Sequence, residues 1–170
     1  SGNESKGVEY IKMDIMKISN LKEKFDLCFH LAAKTLVQES FQQVEEYFNC
    51  NVTGTLSVVK WASENNIKLI YAGSASRHNN PSSSPYSLTK FLGEEICKLY
   101  KLNFNLNVEI ARFYNVYGPL ERIDKINGNV IGIWRSRIKE GLPLQIVGDG
   151  EQTRDFIHVS DIVDGLMKIA

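Results

Sequence analysis

The 170-residue chain carries 20 Lys+Arg against 20 Asp+Glu, with 43% hydrophobic and 24% charged residues. That balance builds a core and excludes a disordered or low-complexity scaffold, while zero formal charge argues against nucleic acid as a partner. No apolar run approaches the ~20 residues that span a bilayer, and the opening SGNESKGVEY is polar, so a soluble, cytoplasmic protein without a membrane partner is expected.

Residues 8–13 (VEYIKM) are rich in β-formers and end at Asp14. Residues 26–31 (DLCFHL) form a compact apolar run entering Ala32-Ala33. Over residues 40–65, Val44, Phe48, Val52, Leu56 and Val59 recur near helical spacing. Residues 67–72 (IKLIYA) read as a strand, and 85–102 as a helix with Leu88, Phe91, Leu92, Ile96 and Leu99 on one face. Residues 108–113 (VEIARF) are a further strand. This β–α–β–α rhythm with apolar strands predicts an α/β fold, a parallel sheet covered by helices on both faces. After Tyr114 the character changes. NVYGPLERIDKINGN is loop-like, 130–140 is a helix ended by Gly141-Leu142-Pro143, and 144–147 is a short strand. GDGEQ is a turn, and 161–170 is an amphipathic helix that Ser160 would cap. The chain therefore divides near residue 115, a nucleotide-binding-type layer at 1–114 preceding a smaller cap-like region at 115–170.

Cys28, Cys50 and Cys97 are odd in number and far apart, and His30, His78 and His158 are dispersed. Three buried or half-buried thiols and no metal are expected. Tyr86 and Lys90 stand four apart on a predicted helix, which puts phenol and ammonium on one face. A nearby cation favours the phenolate and makes a general acid/base; the pair alone is equally a surface Tyr and Lys. Pro85 and the serines 82, 83 and 84 suit the helix start. Ser74 stands at the C-terminal end of a predicted strand, where open α/β sheets bind ligands. It orients a reacting hydroxyl or simply makes the turn. Arg154, beyond Gly148-Asp149-Gly150, fits either a phosphate fork or an Arg–Asp pair, and His158 reads as a packing or capping residue.

In order, HLAAKTLVQES, NVTGT, YAGSAS, PYSLTK, ARFYNVYGP, GLPLQIVGDG and TRDFIHVSDIVDG resemble the extended short-chain dehydrogenase/reductase family. Within it they are most similar to the NAD-dependent nucleotide-sugar epimerases and dehydratases of the UDP-galactose 4-epimerase kind. The resemblance implies a Rossmann-like, doubly wound sheet, NAD as cofactor and a nucleotide-sugar, most simply a UDP-sugar, as substrate. It makes residues 1–114 a partial dinucleotide-binding domain and 115–170 a partial sugar-nucleotide region. By similarity Tyr86 is the catalytic base, Lys90 bonds the cofactor ribose and tunes Tyr86, and Ser74 completes the triad. Asp14 and Ile15 resemble the pair that holds the adenine, and Leu31, Ala32 and Ala33 the strand end passing over the dinucleotide. Asn51 resembles a position near the cofactor, and Phe113 and Tyr114 positions beside the nicotinamide, while Thr35 stands where the epimerases often carry a cofactor-binding lysine. Asn115, Asn129, Val130 and Arg154 look like the diphosphate-binding set, and Gln145 to Val147 like the stretch along the base. The implied chemistry is transient oxidation to a keto-sugar followed by return of hydride to the other face.

A 4,6-dehydratase of this family usually carries Asp-Glu just after the serine-type residue; Ala75-Ser76 here favours the epimerase. A dehydratase, another dehydrogenase of the family and a non-catalytic fragment are the alternatives. No Gly-rich loop precedes the first predicted strand. In the order 3-2-1-4-5-6 the first two strands would lie between 8–13 and 26–31, leaving edges unpaired. The final helix stops at residue 170, and a fragment of a longer enzyme is expected. Arg77-His78-Asn79-Asn80 replaces an aromatic-Gly pair in a shorter loop than most of these epimerases carry. In many relatives the helices at 40–65 and 85–102 form a two-fold interface, which implies a homodimer. Phe91, Ile96 and Tyr100 either serve there or face the sheet.

Overall fold

Short apolar strands separated by helical stretches long enough for a crossover favour parallel pairing. The computed structural model, which describes residues 5–78, 80–121 and 129–170, shows this arrangement. β1 (Leu27–His30), β2 (Lys68–Ser74) and β3 (Val108–Phe113) form a parallel sheet in the order β1-β2-β3. In register, His30 faces Tyr71 and Ser74 faces Phe113. β2 is central and buried beyond Lys68. Its Leu69 and Tyr71 pack with Val58, Val59, Trp61 and Ala62 of the preceding helix, and with Cys97, Leu106 and Val108.

The single helix expected over 40–65 is instead broken. α1 (Val37–Gln42) and α2 (Val44–Phe48) are separated by Gln43, which is non-helical at φ −128°. A π-helical turn, Asn49–Thr53, then leads into α3 (Gly54–Glu64). Inside that turn the Asn51 side chain bonds the Lys34 backbone, a competing side-chain contact of the kind that perturbs an α-ladder. At Gly54 a Cβ would come within 3.0 Å of Ile15, so glycine there lets the 3₁₀ turn Ile15–Asn20 pack on the helix.

α4 (Pro85–Asn103) crosses from β2 to β3. It buries Ser87, Thr89, Lys90, Gly93, Glu94 and Cys97. Ile96 and Tyr100 pack on the core as well, whereas Leu99 and Leu102 face outward. Of the predicted apolar face, Ile96 packs on the core, Leu88, Phe91 and Leu92 are half-buried and Leu99 is exposed, while the fully buried stripe is largely polar.

Two expected strands do not form. Residues 8–13 make no ladder, and Val8, Tyr10 and Ile11 are exposed. Strand backbone needs a neighbour, yet among the described residues β1 pairs with β2 alone. Residues 144–147 are irregular, with Val147 85% exposed. There, side chains take the backbone acceptors: Arg137 Nε donates to Pro143 O, Trp134 Nε1 to Gln145 O, and Gln152 Nε2 to Val147 O. The following turn is as expected, with Gly148 and Gly150 at φ +81° and +85°.

A small parallel pair not foreseen in the sequence, β4 (Val116–Tyr117) and β5 (Ile157–His158), is joined through α5 (Val130–Lys139). α6 (Val159–Ile169) begins earlier than expected because His158, not Ser160, is its cap: Nδ1 accepts from Ser160 N at 3.3 Å. Residues 122–128 of the loop-like run and Asn79 of the short loop lie outside the described residues. The cysteines are free thiols, Cys97 buried and Cys28 and Cys50 half-buried. Among the described residues no helix is long and apolar enough to cross a membrane.

Candidate active site

The site forms where the first turn of α4 meets the carboxyl end of β2. Ser84 caps α4 by accepting from Ser87 N at 3.0 Å, and Pro85 occupies the first turn, where its missing N–H costs nothing. Tyr86 is thereby held beside Ser74, the last residue of β2, with its hydroxyl 3.3 Å from Ser74 Oγ. Ser74 Oγ also accepts from Ser76 N at 3.2 Å and from Ser76 Oγ at 2.9 Å. Either hydroxyl can donate across the Ser74–Tyr86 contact, and the two Ser76 bonds favour Ser74 as the donor.

Lys90 lies one turn further along α4, 5% exposed. Its Nζ donates to Ala72 O at 2.6 Å and sits 4.5 Å from the Tyr71 ring centre. Burial lowers its pKa to about 8, opposed by the Glu94 carboxylate. The Tyr86 phenol is pushed up by burial, and the Ser74 hydrogen bond pulls it down. The expected depression of the phenol by the lysine is therefore not what dominates here; Ser74 supplies the opposing effect.

The other positions singled out in the sequence fall into two groups. Around the β1 end, Leu31 and Ala32 are exposed and Ala33 is half-buried. Asp14 Oδ1 accepts from Met16 N at 2.9 Å, and Ile15 packs against Gly54. Asn51 is buried with its amide spent internally: Oδ1 accepts from Lys34 N (2.8 Å), while Nδ2 donates to Lys34 O (2.9 Å) and Thr89 Oγ1 (3.1 Å). Phe113 ends β3 beside Ser74, and Tyr114 stacks on His78 at 6.2 Å. Around β4–β5, Asn115 Nδ2 donates to Asp155 O, and Asn129 caps α5 through Gly132 N and donates to Val116 O. Val130 and Gln145 are exposed, and Arg154 Nη1 donates to Thr153 O at 2.7 Å.

The sequence reading passed over three groups. His30 is buried, bonds Thr55 Oγ1 at 3.0 Å, and is driven down to about 4 by burial and then by the Lys90 charge. Lys34 is gripped by Glu39, Gln43 and Glu46. Glu94 is 1% exposed and bonded to Arg112. Only Glu94 carried a usable signal: it follows Tyr86 by eight residues and Lys90 by four, so all three share a helical stripe.

Ser74 and Tyr86 in hydroxyl contact, with Lys90 bonded to Ala72 O, thus stand at the carboxyl end of the central strand of a parallel α/β sheet, where such sheets bind ligands. Residues 1–170 match the NAD dependent epimerase/dehydratase family, and the chain belongs to it. It is 34% identical over 187 residues to UDP-glucose 4-epimerase of Mycoplasma genitalium, covering 92% of this chain and 55% of that protein. An epimerase structure from Methanothermobacter thermautotrophicus matches at 32% identity and TM-score 0.88, over 96% of this chain and 54% of the other. A UDP-glucuronic acid 4-epimerase from Bacillus cereus, solved with UDP-glucuronic acid and NAD, matches at 29% identity and TM-score 0.77, over 91% and 51%. The chain spans about half the length of the relatives it matches. The fold is therefore an incomplete Rossmann-like α/β fold, in an enzyme family whose cofactor is NAD.

Proposed function

We propose that the protein carrying this chain epimerises a nucleotide-sugar, in the first instance a UDP-sugar, through a transient keto-sugar. The observation that carries the reading is the 3.3 Å Ser74–Tyr86 hydroxyl pair at the sheet's carboxyl edge. Tyr86 takes the proton of the sugar hydroxyl and later returns it. Ser74, by donating to Tyr86, stabilises the phenolate, and it orients the sugar hydroxyl in place of one of its Ser76 bonds. NAD, when bound, supplies the hydride acceptor and donor. The chain fits the ribose–nicotinamide end of such a cofactor. Ala32 and Ala33 leave β1 with small side chains, and the Lys90 ammonium, bonded to Ala72 O, has further donors for a ribose hydroxyl. Asp14, Ile15 and Leu31 would flank the adenine side, and Phe113 the nicotinamide.

Residues 1–114 would then serve the dinucleotide, while Asn115, Asn129, Val130, Gln145 and Arg154 of 115–170 would hold the sugar nucleotide. That the relatives named above include 4-epimerases, and that Ala75-Ser76 lacks a carboxylate pair, supports epimerisation over dehydration. A homodimer through the outward face of α4, where Leu92, Ile96, Leu99 and Leu102 line a groove with Val52, accompanies the reading. So does action in the reducing cytoplasm, with which three free thiols agree.

The test is C4-epimer formation from UDP-glucose and UDP-glucuronate with NAD. Tyr86→Phe is expected to lower turnover by at least about 100-fold with nucleotide-sugar affinity retained. Undiminished turnover in that variant refutes the reading, and release of a 4-keto-6-deoxy sugar assigns a dehydratase instead.

A further inference from the structure

The catalytic stripe of α4 continues past Lys90 to a carboxylate that a helix packed on an apolar sheet has no general reason to carry. Glu94 is 1% exposed, and burying an ionised carboxylate is costly unless partners satisfy it. Its partners come from two other elements. Arg112 of β3 donates through Nε to both oxygens at 3.2 Å and through Nη2 to Oε2 at 3.0 Å. The amide of Ser74, at the end of β2, donates to Oε1 in a longer bond of 3.4 Å. Arg77, in the turn that follows, places Nε 4.0 Å from Oε2 and bonds Glu95 at 2.8 Å. One side chain thus ties the helix bearing Tyr86 and Lys90 to the strand end bearing Ser74 and to the neighbouring strand end.

The backbone is shaped to let it approach. At Gly73 an added Cβ would stand 2.7 Å from Glu94 Oε1, 2.9 Å from Ile110 Cγ2 and 3.0 Å from Arg112 Cγ. The first two separations are closer than a side chain accepts without a shift, so a Cβ here would push the carboxylate off β2. Beyond Ser74 the chain leaves the sheet for the turn Ala75–His78. The serine's position relative to Tyr86 therefore depends on what grips its own backbone.

We propose that Glu94 is a positioning residue: held by Arg112, its carboxylate grips the Ser74 amide and so keeps Ser74 Oγ in hydrogen-bond reach of the Tyr86 phenol. The role rests on the reading of Ser74 and Tyr86 as the reacting pair, and Glu94 itself touches no substrate. A separation of 3.3 Å between two hydroxyls is already longer than the usual range of about 2.5–3.0 Å, so release of the β2 end by a few tenths of an ångström breaks the contact.

The experiment is a double-mutant cycle between Glu94→Gln and Ser74→Ala in the epimerase assay. Glu94→Gln is expected to cut kcat at least tenfold with KM for the nucleotide-sugar within threefold, and to add no further loss once Ser74 is alanine. Gly73→Ala, which displaces the carboxylate without deleting it, should give the same pattern and carries the test if Glu94→Gln does not fold. Unchanged kcat, or a loss that persists in full in the Ser74→Ala background, overturns the proposal. If the wild-type protein turns over no UDP-sugar, the epimerase reading fails, and amide hydrogen exchange at Ser74 decides this one separately. Exchange at least tenfold faster in Glu94→Gln supports the grip, and unchanged exchange overturns it.

Discussion

Gly93→Ala offers a test of how tightly α4 is seated, because two established effects oppose each other there. Replacing glycine by alanine inside a helix ordinarily stabilises it by about 1 kcal/mol. At Gly93, however, the new Cβ would lie 2.9 Å from Tyr71 Cζ and closer still to the Tyr71 hydroxyl oxygen. Tyr71 cannot readily retreat. It is 1% exposed, its ring contacts His30 at 5.5 Å, and the Lys90 ammonium lies 4.5 Å from its centroid. Overpacking of this kind costs about 1–3 kcal/mol, and more where neighbours are rigid. The net expectation is a destabilisation of about 1–2 kcal/mol, set by overpacking at the upper end of its range less the helix gain. In a domain of this size that lowers Tm by roughly 2–8 °C. The Tyr71 hydroxyl is also buried, with Thr55 beside it but no well-aligned hydrogen bond among the described residues, so Tyr71→Phe removes both the closest obstruction and a poorly satisfied polar group. Tyr71→Phe alone is expected to be neutral or stabilising, and the double variant to recover at least half of the loss. Urea unfolding with unchanged m-values checks both. A stabilising Gly93→Ala, or a Tyr71→Phe that costs more than about 1 kcal/mol, refutes the close-packing argument.

Two further outcomes follow from buried polar groups. Asn51→Ala removes the bonds to Lys34 N, Lys34 O and Thr89 Oγ1 and is expected to cost about 2–4 kcal/mol, with faster exchange of the Lys34 amide; a loss below about 0.5 kcal/mol would contradict that role. His30 is lowered from 6.5 to about 4, so between those values the unfolded chain binds the proton first. Stability is therefore expected to fall as pH drops from about 6.5 to 4, by on the order of 3 kcal/mol. His30→Gln should flatten that limb in pH-dependent melts, and an acid limb of unchanged slope in the variant would show that His30 does not titrate across the transition.

The sheet's strands were legible as short apolar runs. β1 and β3 fall within 26–31 and 108–113, and the buried central β2 runs on past the expected end at Ala72 to Ser74, while β3 keeps Glu109 and Arg112 exposed. Residues 8–13 have the same composition and still form no strand, since pairing is a property of neighbours and no side-chain pattern supplies one. The helix carrying the site misleads for a different reason. Periodicity reports that α4 has an apolar stripe, but not which surface the sheet takes. Leu99 ends 52% exposed, whereas Lys90 and Glu94 are 5% and 1% exposed. A helix lays its polar stripe on a sheet only when each charge finds a partner there. Here Lys90 finds Ala72 O, and Glu94 finds Arg112 and the Ser74 amide. Those partners lie near the ends of β2 and β3, so the conditions that make the burial tolerable also align Tyr86 with Ser74. Tyr86, Lys90 and Glu94, spaced four apart, therefore mark the buried face of α4 more reliably than its leucines do, because only a buried polar residue demands a specific partner.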